Sequence, residues 1–142
     1  MSKKMLVAVD LSEHSASTMA YAYHVAEGLD LVIDAVYVTA STTNRGMGPS
    51  ARQIVAGLNK AEEQAASREL QRILSGVPER RRGEAICASG NPADAIVRAA
   101  DPDLYEMLVV STEGRTGFSQ LFSGSVAESV VRHARLPVLV VR

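Results

Sequence analysis

Five short apolar runs are spaced along the chain, and between them the apolar positions change from continuous to helical spacing. MLVAV (5–9) stops at Asp10, and LVIDAVYV (31–38) is rich in β-branched residues. EAICAS (84–89), EMLVVS (106–111) and PVLVVR (137–142) complete the set. Short, continuous apolar runs are what strands buried on both faces require. After Asp10, Met19, Ala22, Ala26 and Leu29 recur at helical spacing; Ser12 is the predicted cap of that helix and Gly28 lies near its end. TASTTNRGMGPS (39–50) is polar and reads as a loop. From about 51 to 77 the period is helical again: Ile54, Leu58, Ala61 and Ala65 mark one face, and Leu70, Ile73, Leu74 and Val77 continue it. Asn91 and Pro92 sit where a cap and a first helical residue belong. Val126, Val130, Val131 and Ala134 line a last helix.

The resulting order, β-α-β-α-β-α-β-α-β, predicts an α/β fold with a parallel sheet and helices on both faces. No tandem repeat or linker composition divides the chain, and 142 residues suit a single domain spanning 1–142. In such sheets ligands gather beyond the carboxyl ends of the strands, where the strand order reverses. Local pattern leaves that order open. A 3-2-1-4-5 order would bring the ends of the first and fourth strands to one crevice.

Composition narrows the partners. The formal net charge is −1, so no overall basic field draws in nucleic acid or anionic lipid. The basic run ERRRGE (79–84) is flanked by acids and reads as solvated. No apolar run approaches the roughly 18–20 residues needed to span a bilayer. MSKKMLVAVD carries too short an apolar stretch for a signal sequence, so a cytoplasmic location is expected. The single cysteine, Cys87, has no internal disulfide partner and reads as a small buried hydrophobe.

Two features carry candidate chemistry. STEGRTGFSQLFSGS (111–125) contains Gly114, Gly117 and Gly124, which let main-chain amides approach a ligand closely. It leads into a helix whose first N–H groups favour an anion, and Arg115 adds a positive charge that Glu113 opposes. The loop is not a P-loop, since no Lys follows Gly124. It also fits a purely structural turn, because SVAE (125–128) matches a capping box in which Ser125 and Glu128 satisfy each other's amides. Asp10 has a similar double reading: a strand-end carboxylate accepts ribose hydroxyls, or helps to cap the following helix. His14, His24 and His133 lack partners at metal-ligand spacing, and no nucleophile–base pair stands out.

Taken together, MLVAVDLSEHS, GNPADAIVRAA and MLVVSTEGRTGFSQLFSGSVAESVVRHARLPVLVVR resemble the universal stress protein family almost end to end. ATP-binding members share a loop of the form G-x2-G-x9-G-[ST]. Laid on this chain, its positions fall on Ser111, Gly114, Gly124 and Ser125, so serine stands where the pattern has glycine. A Cβ at 111 obstructs the site if that backbone needs a glycine conformation or if phosphate passes close by. The resemblance implies an open, mostly parallel five-stranded sheet in the order 3-2-1-4-5. It also implies binding of an adenine nucleotide, ATP or AMP, with Mg2+ only alongside ATP. Asp10 would meet the nucleoside and the Val38 backbone the adenine. Gly114, Gly124 and Ser125 would hold phosphate, with Leu11 and Arg115 as neighbours. A homodimer pairing the terminal strands 137–142 is implied as well; hydrolysis, if any, is expected to be slow.

Overall fold

The computed structural model describes residues 3–39, 46–112 and 124–142. Strand β1 (Lys4–Ala8) leads through helix α1 (Ser15–Leu29) to β2 (Val32–Thr39), and helix α2 (Pro49–Leu74) leads to β3 (Arg82–Ser89). Helix α3 (Pro92–Ala99), β4 (Met107–Ser111), helix α4 (Gly124–His133) and β5 (Val138–Val141) follow. The five strands form one sheet in the order β3-β2-β1-β4-β5, and each neighbouring pair is parallel. The chain therefore walks outward from β1 to β3, then crosses back to build β4 and β5 on the other side. The strand order reverses between β1 and β4, which puts a crevice at their carboxyl ends.

Strand alternation sorts the apolar side chains into two cores. Met5, Val7, Ile33 and Val109 pack under α1 and α2, against Met19, Ala22 and Leu70. Leu6, Val36, Leu108 and Val110 pack under α3 and α4, against Ile96 and Val130. Because both faces of β1, β2 and β4 are covered, these central strands are predominantly apolar, which is the pattern that made them legible.

Several local expectations are corrected. Ser12 does not cap α1: the helix starts at Ser15, its N-cap position is His14, and that residue makes no side-chain cap bond. The hydroxyl of Ser12 instead accepts the His14 N–H at 3.2 Å, closing a turn before the helix begins. At the other end Gly28 lies near the helix end as expected, one residue before Leu29, and the left-handed residue is Asp30 (φ 58°, ψ 49°). The Ile54–Ala65 stripe does not face the core, for no side chain from Pro49 through Ala65 is buried. Burial in α2 begins at Ala66 and continues through Leu70, Ile73 and Leu74. Helical periodicity reveals an apolar face, but whether another element covers it depends on tertiary structure. Leu29 and Val131 are likewise exposed. Cys87 is half-buried on β3, and burial, with the negative charge of Glu63, pushes its thiol pKa up.

The amino end of the sheet contains a polar node that periodicity did not reveal. Asp34, 2% exposed, accepts from Tyr105 Oη (2.9 Å), Lys4 Nζ (3.1 Å) and the Glu84 N–H (2.8 Å). The β2–β3 register slips there, with Ile33 opposite Arg82 but Ala35 opposite Ala85, so one residue of β2 faces two of β3. Gly83 makes this approach feasible, since a Cβ there would collide with Asp34 Oδ1 and come within 2.7 Å of the Ile33 carbonyl oxygen. Arg82 anchors the same strand by donating to the carbonyls of Ser75 (3.0 Å) and Val77 (2.9 Å), which follow α2.

Candidate functional site at the strand-order switch

Asp10 follows β1 at the switch point and is 4% exposed. Its Oδ1 accepts the Ser12 N–H at 3.0 Å and the Ser15 hydroxyl at 3.4 Å. These bonds fix the carboxylate at the mouth of the turn that enters α1. The next residue, Leu11, takes a left-handed φ of 62°. A non-glycine residue in that region costs on the order of 1–3 kcal/mol and persists only where its surroundings hold it. The strain lies beside the buried carboxylate, at the crevice.

Val38 approaches the same crevice from β2. The Val36 carbonyl accepts the Val9 N–H (3.0 Å) on the β1 side, while the Thr39 carbonyl accepts the Gly90 N–H (3.2 Å) on the β3 side. Alternation along the strand therefore turns the Val38 N–H and C=O toward β1, beyond its last paired residue. The Val38 side chain is buried beneath α3 and α4.

Ser111 ends β4 and is 8% exposed. With Asp10, His14, Ser15 and Thr18 it walls a small hollow between the end of β4 and the first turn of α1, and the hollow has no room for a water molecule. The alternation of β4 agrees: Val109 belongs to the core under α1, whereas Val110 belongs to the core under α4. The Ser111 Cβ thus points toward α1, away from the face on which α4 packs.

Gly124 opens α4 at the same end of the sheet. Gly114, Gly117 and Arg115, the side chain of Ser125, and residues 40–45 of the polar loop lie outside the described residues. The capping-box expectation for Ser125 and Glu128 rests on that Ser125 side chain and so lies outside the described residues as well. Glu128 Oε1 accepts from Arg132 Nη2 at 2.7 Å, an i,i+4 ion pair one helical turn on.

Sequence reasoning put Asp10, Val38, Ser111 and Gly124 at the carboxyl ends of their strands or the start of α4, and the fold gathers these positions on one edge of the sheet. It missed Ser15 and Thr18, both 3% exposed. Their signal was present: they continue the buried stripe of Met19, Ala22 and Ala26 toward the amino end of α1, as polar residues at inward positions. His24 and His133 are exposed on α1 and α4, and His133 Nδ1 lies 2.8 Å from the Ser129 carbonyl oxygen.

The sequence pattern of the universal stress protein family matches residues 1–142. The chain belongs to the universal stress protein family. The universal stress protein YxiE of Bacillus subtilis is 30% identical, with 100% of both chains covered. UspA of Lactobacillus plantarum superposes with a TM-score of 0.81 at 22% identity, covering 99% of this chain and 97% of that one. A universal stress protein of Archaeoglobus fulgidus, solved in complex with dAMP, gives a TM-score of 0.63 at 19% identity, covering 99% and 98%. These two solved structures share their fold with this chain.

Proposed function

We propose that this universal stress protein binds an adenine nucleotide, ATP or AMP, in the crevice beyond β1 and β4, as a cytoplasmic regulatory protein of the stress response. One observation carries the reading: a buried, pre-oriented Asp10 carboxylate stands beside the strained Leu11 at the point where the strand order reverses. The Archaeoglobus relative's dAMP complex supports an adenine nucleotide as the ligand class. In this reading Asp10 accepts hydroxyls of the nucleoside, and the Val38 main chain meets the base edge. Leu11 and Ser111 border the pocket. Gly114, Gly124, Ser125 and Arg115 hold phosphate at the start of α4, where unpaired helix N–H groups favour an anion. Mg2+ enters only with ATP.

Native mass spectrometry of the purified protein, together with calorimetry against ATP and AMP, tests the reading. A retained or titratable nucleotide is expected. The absence of both a co-purified nucleotide and any heat of binding at millimolar nucleotide would reject it. The reading includes a homodimer through strand 137–142: β5 is a sheet edge with Val140 38% exposed, and an apolar edge strand calls for cover. Light scattering is expected to give twice the chain mass.

A second reading, a dimeric interaction module without nucleotide, draws on Asp10 bonding within its own turn and on the hollow behind it, which is too narrow for water. A Gly124→Arg variant separates the two. It abolishes nucleotide binding in the first reading, and leaves every measurable interaction intact in the second.

A further inference from the structure

We propose that Ser111 is a positioning residue: its side chain seats the first turn of α1, and with it Asp10, against the end of β4. Its effect on binding rests on the nucleotide reading above; its effect on α1 does not. The family's ATP-binding pattern, with glycine at this position, suggests that a side chain here stands in the way of phosphate. The geometry points elsewhere. Ser111 is 8% exposed and shares a narrow hollow with Asp10, Ser15 and Thr18. It faces α1, whereas α4, whose start would hold phosphate, packs on the opposite face through Ala127 and Val130. A glycine would remove the Cβ and hydroxyl from this packing and leave a void behind the carboxylate.

That packing matters because α1 begins without help of its own. Its N-cap residue, His14, makes no side-chain cap bond, and its first turn begins four residues after the strained Leu11. An uncapped first turn frays unless tertiary contacts hold it. Ser15, the first residue of α1, also carries the hydroxyl that bonds Asp10. Loosening that turn therefore loosens the carboxylate. Ser111, on the neighbouring strand, closes the hollow from the side that α1 cannot reach.

The test compares wild type with Ser111→Gly, Ser111→Ala and Ser111→Cys in two measurements. Calorimetry reads affinity for ATP and for adenosine, and hydrogen exchange reads the Thr18 amide, which is bonded to the His14 carbonyl at 3.0 Å. In Ser111→Gly, affinity for both ligands is expected to fall together by roughly five- to tenfold, and Thr18 exchange to quicken on the order of tenfold. Ser111→Ala keeps Cβ and lies between. Ser111→Cys, which restores a γ atom, recovers most of both losses, a rescue that a general loss of stability would not show. Tighter ATP binding by Ser111→Gly with adenosine unchanged would mean that the side chain obstructs phosphate, and would overturn the proposal. Unchanged Thr18 exchange in Ser111→Gly would overturn it too. If wild type binds neither ligand, the nucleotide reading fails while the exchange experiment still decides the role of Ser111. Should the glycine variant not fold, Ser111→Ala and Ser111→Cys supply the same two readouts, with exchange faster in alanine than in cysteine.

Discussion

Two aspartates lie almost fully inside this chain, at opposite ends of the same sheet, and their surroundings differ in kind. Asp34 is bound by groups brought from far along the chain: Lys4 on β1, the Glu84 amide on β3 and Tyr105 ahead of β4. Its carboxylate joins three segments and makes room for a register slip. Asp10 bonds to Ser12 and Ser15, within the turn it belongs to, beside a strained leucine. The first arrangement exchanges chain entropy for long-range connection. The second spends conformational energy to hold one group at the crevice where the strand order reverses. Burial is common to both carboxylates; the sequence distance of their partners and the local backbone are what differ.

The sharpest way to break this comparison is to remove each carboxylate in turn. Asp34→Ala leaves a hydroxyl, an amide and an ammonium without their acceptor, and is expected to cost about 3 kcal/mol in urea denaturation. Nucleotide affinity, measured below the transition, should be unchanged. Gly83→Ala attacks the same node from β3 by steric overlap and should cost about 2 kcal/mol. A variant as stable as wild type would show that the slip can relax. Asp10→Ala should do the reverse, weakening ATP about tenfold or more in calorimetry, equivalent to about 1.4 kcal/mol of binding, while its unfolding midpoint moves little. If Asp34→Ala abolished binding and Asp10→Ala unfolded the protein, the assignment of roles would be inverted.

The smallest effect concerns pH. Burial, then the hydrogen bond to Asp34 and that carboxylate's charge, raise the Tyr105 pKa well above its ordinary value. The unfolded chain therefore releases this proton near pH 10 while the folded protein keeps it. Stability from the Tyr105–Asp34 bond is complete below about pH 10 and is lost as pH rises toward the folded value. Tyr105→Phe should cost about 1 kcal/mol at neutral pH and flatten the alkaline arm of a stability–pH curve.

The central strands were legible because burial on both faces demands unbroken apolar runs such as MLVAV, whereas the edge strand in PVLVV, with no buried residue, was legible from its β-branched run alone. Asn91 was legible as a cap because its function is local, and its side chain accepts the Asp94 N–H as expected. What failed depended on distance. The Ile54–Leu58 stripe carries a helical period, but no residue nearby says that this part of α2 stays exposed. Asp34 appeared as one acid in an apolar strand, and that anomaly was its only signal; its partners lie 30 to 71 positions away. At the crevice, Asp10 and Ser111 were visible as strand ends. Which way Ser111 faces could be known only once α1 and α4 had taken opposite sides of the sheet.

The projecting half of α2 has a practical consequence. From Pro49 through Ala65 the helix carries no buried side chain, yet it is continuous with the segment packed on the core. It offers exposed points of attachment. A fluorophore or surface tether attached at Gln53 or Lys60 would leave both cores chemically untouched.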